Sequence, residues 1–203
     1  HFRNLHFFQV RNNHEDYGDY VRRLGTKIAI RAGFKAITFL DADNYVDKDH
    51  LKQIYDIHKK TKKNIVISRR RLLIDGRNAI EKPSNFYDTN TITIFKECIQ
   101  IGSKWGKYPR ELSLIGDRII SHYINLNYKS SIAFTDEITV NYRFSKISKQ
   151  KTDYFKKWYL NYFSTYKDKF IKLIVEKKDN YYEFDNLIER LYNIGIHDLK
   201  IID

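Results

Sequence analysis

Two short acidic clusters hold the residues best suited to chemistry. Asp41-Ala42-Asp43 sets two carboxylates two positions apart, directly after the apolar run Ala36–Leu40 (AITFL). At a strand end such a pair directs its oxygens at one hard cation, and Mg²⁺ or Mn²⁺ takes such ligands while bridging to substrate phosphates. Alone, Asp-x-Asp is as often a solvated turn or a helix cap. Its place hard against an apolar run favours the metal reading. The second cluster is Gly116-Asp117-Arg118, at the start of a helical pattern. An Asp there caps the helix or complements its dipole, or acts as a general base when its carboxylate reaches a substrate hydroxyl.

Other residues carry weaker signals. Arg69-Arg70-Arg71 suits phosphate oxygens, or forms a solvated face. Asp88, Asn90 and Trp105 suit a sugar or acceptor site, against the plainer readings of a turn and a core anchor. Arg118 either orients Asp117, binds a donor or makes a surface ion pair. His6, His14, His50, His58 and His122 show no Glu-x-x-His or His-x-x-x-His spacing, so none is assigned to a metal.

The elements that must position these residues alternate. Leu5–Val10 (LHFFQV) predicts a buried strand, and Asp19–Ala32 an amphipathic helix with Val21, Leu24, Ile28 and Ala32 on its apolar face and Gly33 as its stop. Ala36–Leu40 is the next strand. A second helix follows, with Asp47 as N-cap, Leu51, Ile54, Tyr55 and His58 on one face and a basic end. Asn64–Ser68 and Thr91–Phe95 read as strands, Lys96–Gly102 as a short helix, Gly116–Leu126 as a longer one. Ser131–Thr135 and Ile138–Tyr142 read as two further strands. Strands separated by helices suggest parallel βαβ units, whose ligands bind beyond the carboxyl ends of the strands.

The 203 residues amount to one domain or slightly more, and a 42% hydrophobic share rules out disorder by composition. Charge is lopsided, with 37 Lys+Arg against 25 Asp+Glu and a net of +12. Half of that excess, 10 Lys against 4 acids, lies between Lys146 and Asn180. There Phe155, Trp158, Tyr159, Tyr162, Phe163, Tyr166 and Phe170 recur at helical spacing. This sets apart a helical, Lys- and aromatic-rich extension over 146–203 from residues 1–145. Its aromatic face either packs on the first part or rests on an anionic membrane. No apolar stretch approaches the ~20 residues of a membrane span. The single Cys98 forms no internal disulfide, so a reducing, cytoplasmic setting is expected, with peripheral contact at the inner face of the membrane as the further option.

Taken together, AGFKAITFLDADNYVDKDHL, NIVISRRRLLIDG, DTNTITIF and WGKYPRELSLIGDR resemble, in that order, glycosyltransferase family 2. The resemblance spans roughly Leu5 to Arg143. It implies a GT-A fold: an α/β, Rossmann-related, mixed and mainly parallel sheet flanked by helices. It also implies a bacterial, metal-dependent inverting transferase that moves a sugar from a UDP-linked donor to a hydroxyl of a glycan or glycolipid. On this resemblance Asp43 is the direct ligand of Mn²⁺ or Mg²⁺, Asp41 acts through the metal, water or the ribose, and Asp117 is the base. Arg69, Asp88, Asn90, Trp105 and Arg118 are donor or acceptor contacts. The chain departs from the family in two places. Gly116 stands where the usual Glu-Asp pair has its first acid, and no strand–helix–strand precedes Leu5 to build the nucleotide pocket, as expected of a fragment or an inactive remnant. The competing readings are a nucleotidyltransferase and a non-catalytic basic module that binds nucleic acid, although no specific nucleic acid is expected.

Overall fold

The computed structural model describes residues 7–11, 14–74, 77–79, 87–108, 113 and 116–144. The helices expected beyond residue 146 and the turn at Asp75-Gly76 lie outside them. Two compact units divide the chain, His1–Arg70 with Phe86–Val140, and Arg71–Asn85 with Asn141–Asp203. In the second unit the short strand β4 (Arg77–Ala79) pairs antiparallel with the end of β3 (Ile65–Ile74), Leu72 opposite Ala79.

The first unit carries the elements that build the site. In chain order they are α1 (Asp19–Arg31), β1 (Ala36–Thr38), β2 (Tyr45–Val46), α2 (His50–Thr61), β3 (Ile65–Ile74), β5 (Ile92–Phe95), α3 (Gly116–Tyr128) and β6 (Ile132–Phe144). A 3₁₀ turn at Thr89–Thr91 leads into β5, and a longer 3₁₀ segment, Lys96–Lys104, follows it. The sheet order is β1-β5-β3-β6-β2. β5 runs antiparallel to both β1 and β3, with Ile37 opposite Ile94 and Ile65 opposite Ile94. β1 and β3 therefore point the same way, as a strand–helix–strand crossover requires, but β5 is inserted between them. The sheet is α/β and mixed as expected. Within it the β1–β5, β3–β5 and β3–β4 pairs are antiparallel.

Both faces of β3 and β5 are covered, which is why Ile92–Phe95 is buried throughout. On one side Ile65, Ile67, Ile92 and Ile94 pack with Cys98, Ile101 and Trp105 and with Ile120 and Ile124 of α3. On the other, Val66 and Phe95 meet Ile54 of α2, and His58 stacks on Phe95 with ring centroids 3.6 Å apart. Each fully buried Ile contributes roughly 1.5–3 kcal/mol of transfer free energy, so this two-sided core anchors the strand ends where the acidic motifs emerge.

Several local expectations change. Residues 7–10 form no strand, and Phe7 and Phe8 are 88% and 61% exposed. Apolar character there marks surface, not a paired strand. Leu51 and Tyr55 are also exposed, since α2 buries only a narrow stripe around His50 and Ile54. Asp49, not Asp47, occupies the N-cap position of α2. The two strands expected over 131–142 are one, β6, because Asp136-Glu137 continues the extended backbone. In α1 the buried residues are Asp19 and Thr26, seven apart on one face, while Val21 is exposed. The helix lies where its period predicts, but it packs through its polar face. Gly33, with φ of 75°, ends it in a conformation that favours glycine.

Candidate active site

The site is built at the point where β1 ends and β5 begins. The β1–β5 ladder pairs Thr38 with Thr93, and the same register carried beyond it sets Asp41 opposite Asn90. The contact is made by side chain and backbone together. The Asp41 backbone N–H donates to Asn90 Oδ1 at 2.7 Å, and Asn90 Nδ2 donates to Asp41 Oδ2 at 3.1 Å. Asn90 is buried, and its Nδ2 also donates to Asp88 Oδ1 at 2.8 Å. Asp88 caps the 3₁₀ turn, accepting the Asn90 backbone N–H at 2.9 Å. Arg70, at the end of the first unit's stretch of β3, closes the chain with an ion pair to Asp88 at 2.5 Å. Asn90 thus uses both ends of its amide: its oxygen takes an N–H, and its nitrogen serves two carboxylates, which no carboxylate in its place would do.

Arg22 of α1 holds Asp41 from the opposite side, with Nη2 2.6 Å from Asp41 Oδ1. Its other guanidinium nitrogen donates to the Tyr17 carbonyl at 2.8 Å, and the group lies over the Trp105 ring at 5.0 Å. Both Asp41 oxygens are therefore engaged. Asp43, in the following turn, is exposed. The turn itself is closed by the Asn44 N–H to the Asp41 carbonyl at 3.0 Å.

Asp117 sits in the first turn of α3, partly buried, and its Oδ1 accepts the Arg118 backbone N–H at 2.8 Å. Its carboxyl is pushed up to about 6, first by burial and then by the nearby negative charge of Asp88. The charges of Arg118 and Arg70 pull the other way and offset only part of this. A carboxylate so placed is ionised at neutral pH yet basic enough to take a proton, the balance a general base needs. Asp88 thereby acts on both motifs, 76 residues apart in the chain: it is hydrogen-bonded to Asp41 through Asn90, and its charge is felt at Asp117.

The other expected contacts separate. Asp88 and Asn90 are inside the array. Arg69 is turned away: its backbone N–H donates to Thr135 Oγ1 and its guanidinium to the Asp136 carbonyl at 2.9 Å. Strand alternation gives its neighbour Arg70 the site position. Trp105 is 1% exposed, edge-on to Phe39, and acts as a core anchor, so it offers no face to a sugar. Arg118 is exposed beside Asp117. Sequence reasoning passed over Arg22; its spacing of three from Asp19 was the only local sign that it shares that residue's helix face.

Among the described residues no three His, Cys, Asp or Glu side chains converge to hold a metal ion. The donor set fits a different mode, in which one exposed carboxylate, Asp43, supplements oxygens brought by substrate phosphates and water, as is usual for Mg²⁺. An open cleft of about 760 Å³ runs along α1 and β1 to Asp41 and Ala42, with Tyr17, Val21, Gly25 and Phe34 among its walls. Among the described residues no helix is long and apolar enough to cross a membrane.

Comparison with known proteins bears on the family and the fold. The family model described as glycosyl transferase family 2 matches residues 22–123. The crystal structure of S. aureus TarS 1-349 in complex with UDP is similar at a TM-score of 0.58 and 13% identity, covering 95% of this chain and 56% of that one. A crystal structure of S. aureus TarS is similar at a TM-score of 0.56 and 15% identity, covering 93% of this chain and 33% of that one. At such identities the likeness is one of fold, GT-A in type. The chain spans about half, or less, of the length of these structures. No curated protein matches it.

Proposed function

The chain belongs to glycosyl transferase family 2, and from that premise we propose that its protein moves a sugar from a nucleotide-diphosphate sugar to a hydroxyl of a glycan or glycolipid acceptor, with inversion at the anomeric carbon. The observation that carries the reading is the hydrogen-bonded set Asp41, Asn90 and Asp88, whose Asp88 charge, added to burial, raises Asp117 to about 6. The cleft along α1 and β1 receives the nucleotide, and the similar TarS structure in complex with UDP supports a uridine donor. Asp43 and, behind it, Asp41 meet the diphosphate end. A divalent cation bound there supplies charge neutralisation for the leaving diphosphate. Asp117 takes the proton from the acceptor hydroxyl as its oxygen attacks the anomeric carbon. The bond to the diphosphate breaks on the opposite face, which inverts the centre. Arg70 and Asn90 keep Asp88 fixed, and the negative charge of Asp88 adds to burial in keeping Asp117 basic.

Family membership weighs against a nucleotidyltransferase and against a nucleic-acid module. Peripheral membrane contact through residues 146–203, in a cytoplasmic protein, belongs to the same proposal. Cosedimentation with anionic liposomes tests it, and binding that does not weaken with salt removes it.

The test of the reaction is transfer and donor hydrolysis with UDP-sugars, with and without Mn²⁺. Asp43→Asn should abolish the metal-stimulated rate. Asp117→Asn should lower transfer by about 10²–10⁴-fold while donor binding persists. Unchanged turnover in both variants sinks the reading, and a product of retained anomeric configuration sinks the inverting mechanism.

A further inference from the structure

Gly116 is a glycine for want of space, not for backbone freedom: it is absent from the residues of positive φ. A Cβ placed on it would fall inside contact distance of the Tyr108 hydroxyl oxygen and 3.0 Å from Asp19 Oδ1. Asp19 is 0% exposed, and neither of its carboxylate oxygens has a hydrogen-bond partner of good geometry among the described residues. The same holds for the Tyr108 hydroxyl. Burial presses on the Asp19 carboxyl, with only the Tyr108 and Ser113 hydroxyls and the more distant Arg22 charge set against it, a cost the fold would shed with an apolar residue at position 19. Arg22 Nη1 lies 3.6 Å from Asp19 Oδ1, too long for a hydrogen bond, while the same guanidinium grips Asp41 at 2.6 Å. Asp19, Arg22 and Thr26 share one face of α1. Thr26 continues the close approach, since its Oγ1 would stand 2.5 Å from a Cβ on Gly102.

We propose that Asp19 is a positioning residue for the base: its buried carboxylate forms the seat against which Gly116 brings the start of α3, while Arg22, one turn on, fixes Asp41. One helix face then sets the register between the two acidic motifs. Gly116 must stay small to admit the Asp19 carboxylate. This rests on the reading of Asp117 as base. A displacement of about 1 Å in a catalytic group costs about a hundredfold in rate, so the seat acts on turnover and not on donor binding.

The experiment compares Asp19→Asn, Gly116→Ala, the pair Gly116→Ala/Tyr108→Phe, and Asp117→Asn. The measurements are transfer kinetics, donor affinity by calorimetry and melting temperature. Asp19→Asn and Gly116→Ala should each lower kcat by roughly tenfold to a hundredfold with donor KM and affinity unchanged. Tyr108→Phe added to Gly116→Ala should recover part of the loss, because it removes the nearest obstructing atom. Three results overturn the proposal: undiminished kcat in both single variants, a kcat loss matched by an equal loss of donor affinity, or no recovery in the pair. If Asp19→Asn does not fold, the steric pair decides alone. Full transfer by Asp117→Asn overturns the base reading itself. Loss in Asp117→Asn with none in Asp19→Asn or Gly116→Ala overturns only the seat.

Discussion

The two acidic motifs are prepared in opposite ways. Asp41 is held from both sides, one oxygen by Arg22 and the other by Asn90, with its backbone N–H also bonded to Asn90. Among the described residues Asp117 takes a hydrogen bond from the next residue's backbone N–H alone, and it is pressed by burial and by a like charge. The first arrangement holds a carboxylate in one orientation beside an exposed partner, Asp43, as a cation site requires. The second withholds stabilisation from the charged form, so that proton uptake is favourable during reaction. Tight binding would make Asp117 a worse base, and loose binding would make Asp41 a worse support.

The contrast can be broken or sharpened by substitution. The largest effect is expected from Asn90→Ala, which removes the bridge and leaves the carboxylates of Asp41 and Asp88 facing each other. Stability should fall by about 1–3 kcal/mol in denaturant unfolding, and both metal-stimulated hydrolysis and transfer should drop together. Next comes the pH dependence. Transfer should fall as pH drops through about 6, where Asp117 takes up its proton. Asp88→Asn should move that limb to lower pH, since it deletes the charge that adds to the burial effect; a limb that stays in place removes Asp88 from the account. A smaller effect concerns stability. The folded carboxyl titrates above its ordinary value of 3.8, so its ionised form costs the fold something at every pH above about 6, and that cost is relieved between 6 and 4. Asp117→Asn should therefore raise Tm at pH 7.5 while destroying transfer, and the gain should vanish near pH 4. The smallest effect belongs to Arg118→Ala. It should lift the pH limb slightly, because the backbone N–H remains when the side-chain charge is gone.

The same contrast explains what was legible in the sequence. Asp41 and Asp117 could be found because each sits at an element boundary that local pattern locates: the abrupt end of AITFL and the start of a helical period. The positions of α1, α2 and α3 follow from that period too. What joins them is not local. Asn90 meets Asp41 only because β5 lies antiparallel between β1 and β3, and nothing in TITIF states which neighbours it will take. Arg70 and not Arg69 enters the site because a strand alternates, and the phase is fixed by partners far along the chain. Periodicity placed α1 but misjudged its packed face. The rule that apolar residues go inside is overridden where Asp19 and Thr26 meet Gly116 and Gly102 at close range.

Asn90 has one more consequence, thermodynamic in kind. Its single amide nitrogen is shared between the carboxylate that supports the donor end and the carboxylate whose charge lifts Asp117. A ligand that draws Asp41 away leaves that nitrogen to Asp88 alone, damping the charge felt at Asp117 and easing its proton off. Reciprocity then requires the converse by the same factor: the enzyme should hold its donor more tightly once the base has lost its proton. Donor affinity, measured across pH 5 to 7, becomes a readout of the base before any sugar has moved.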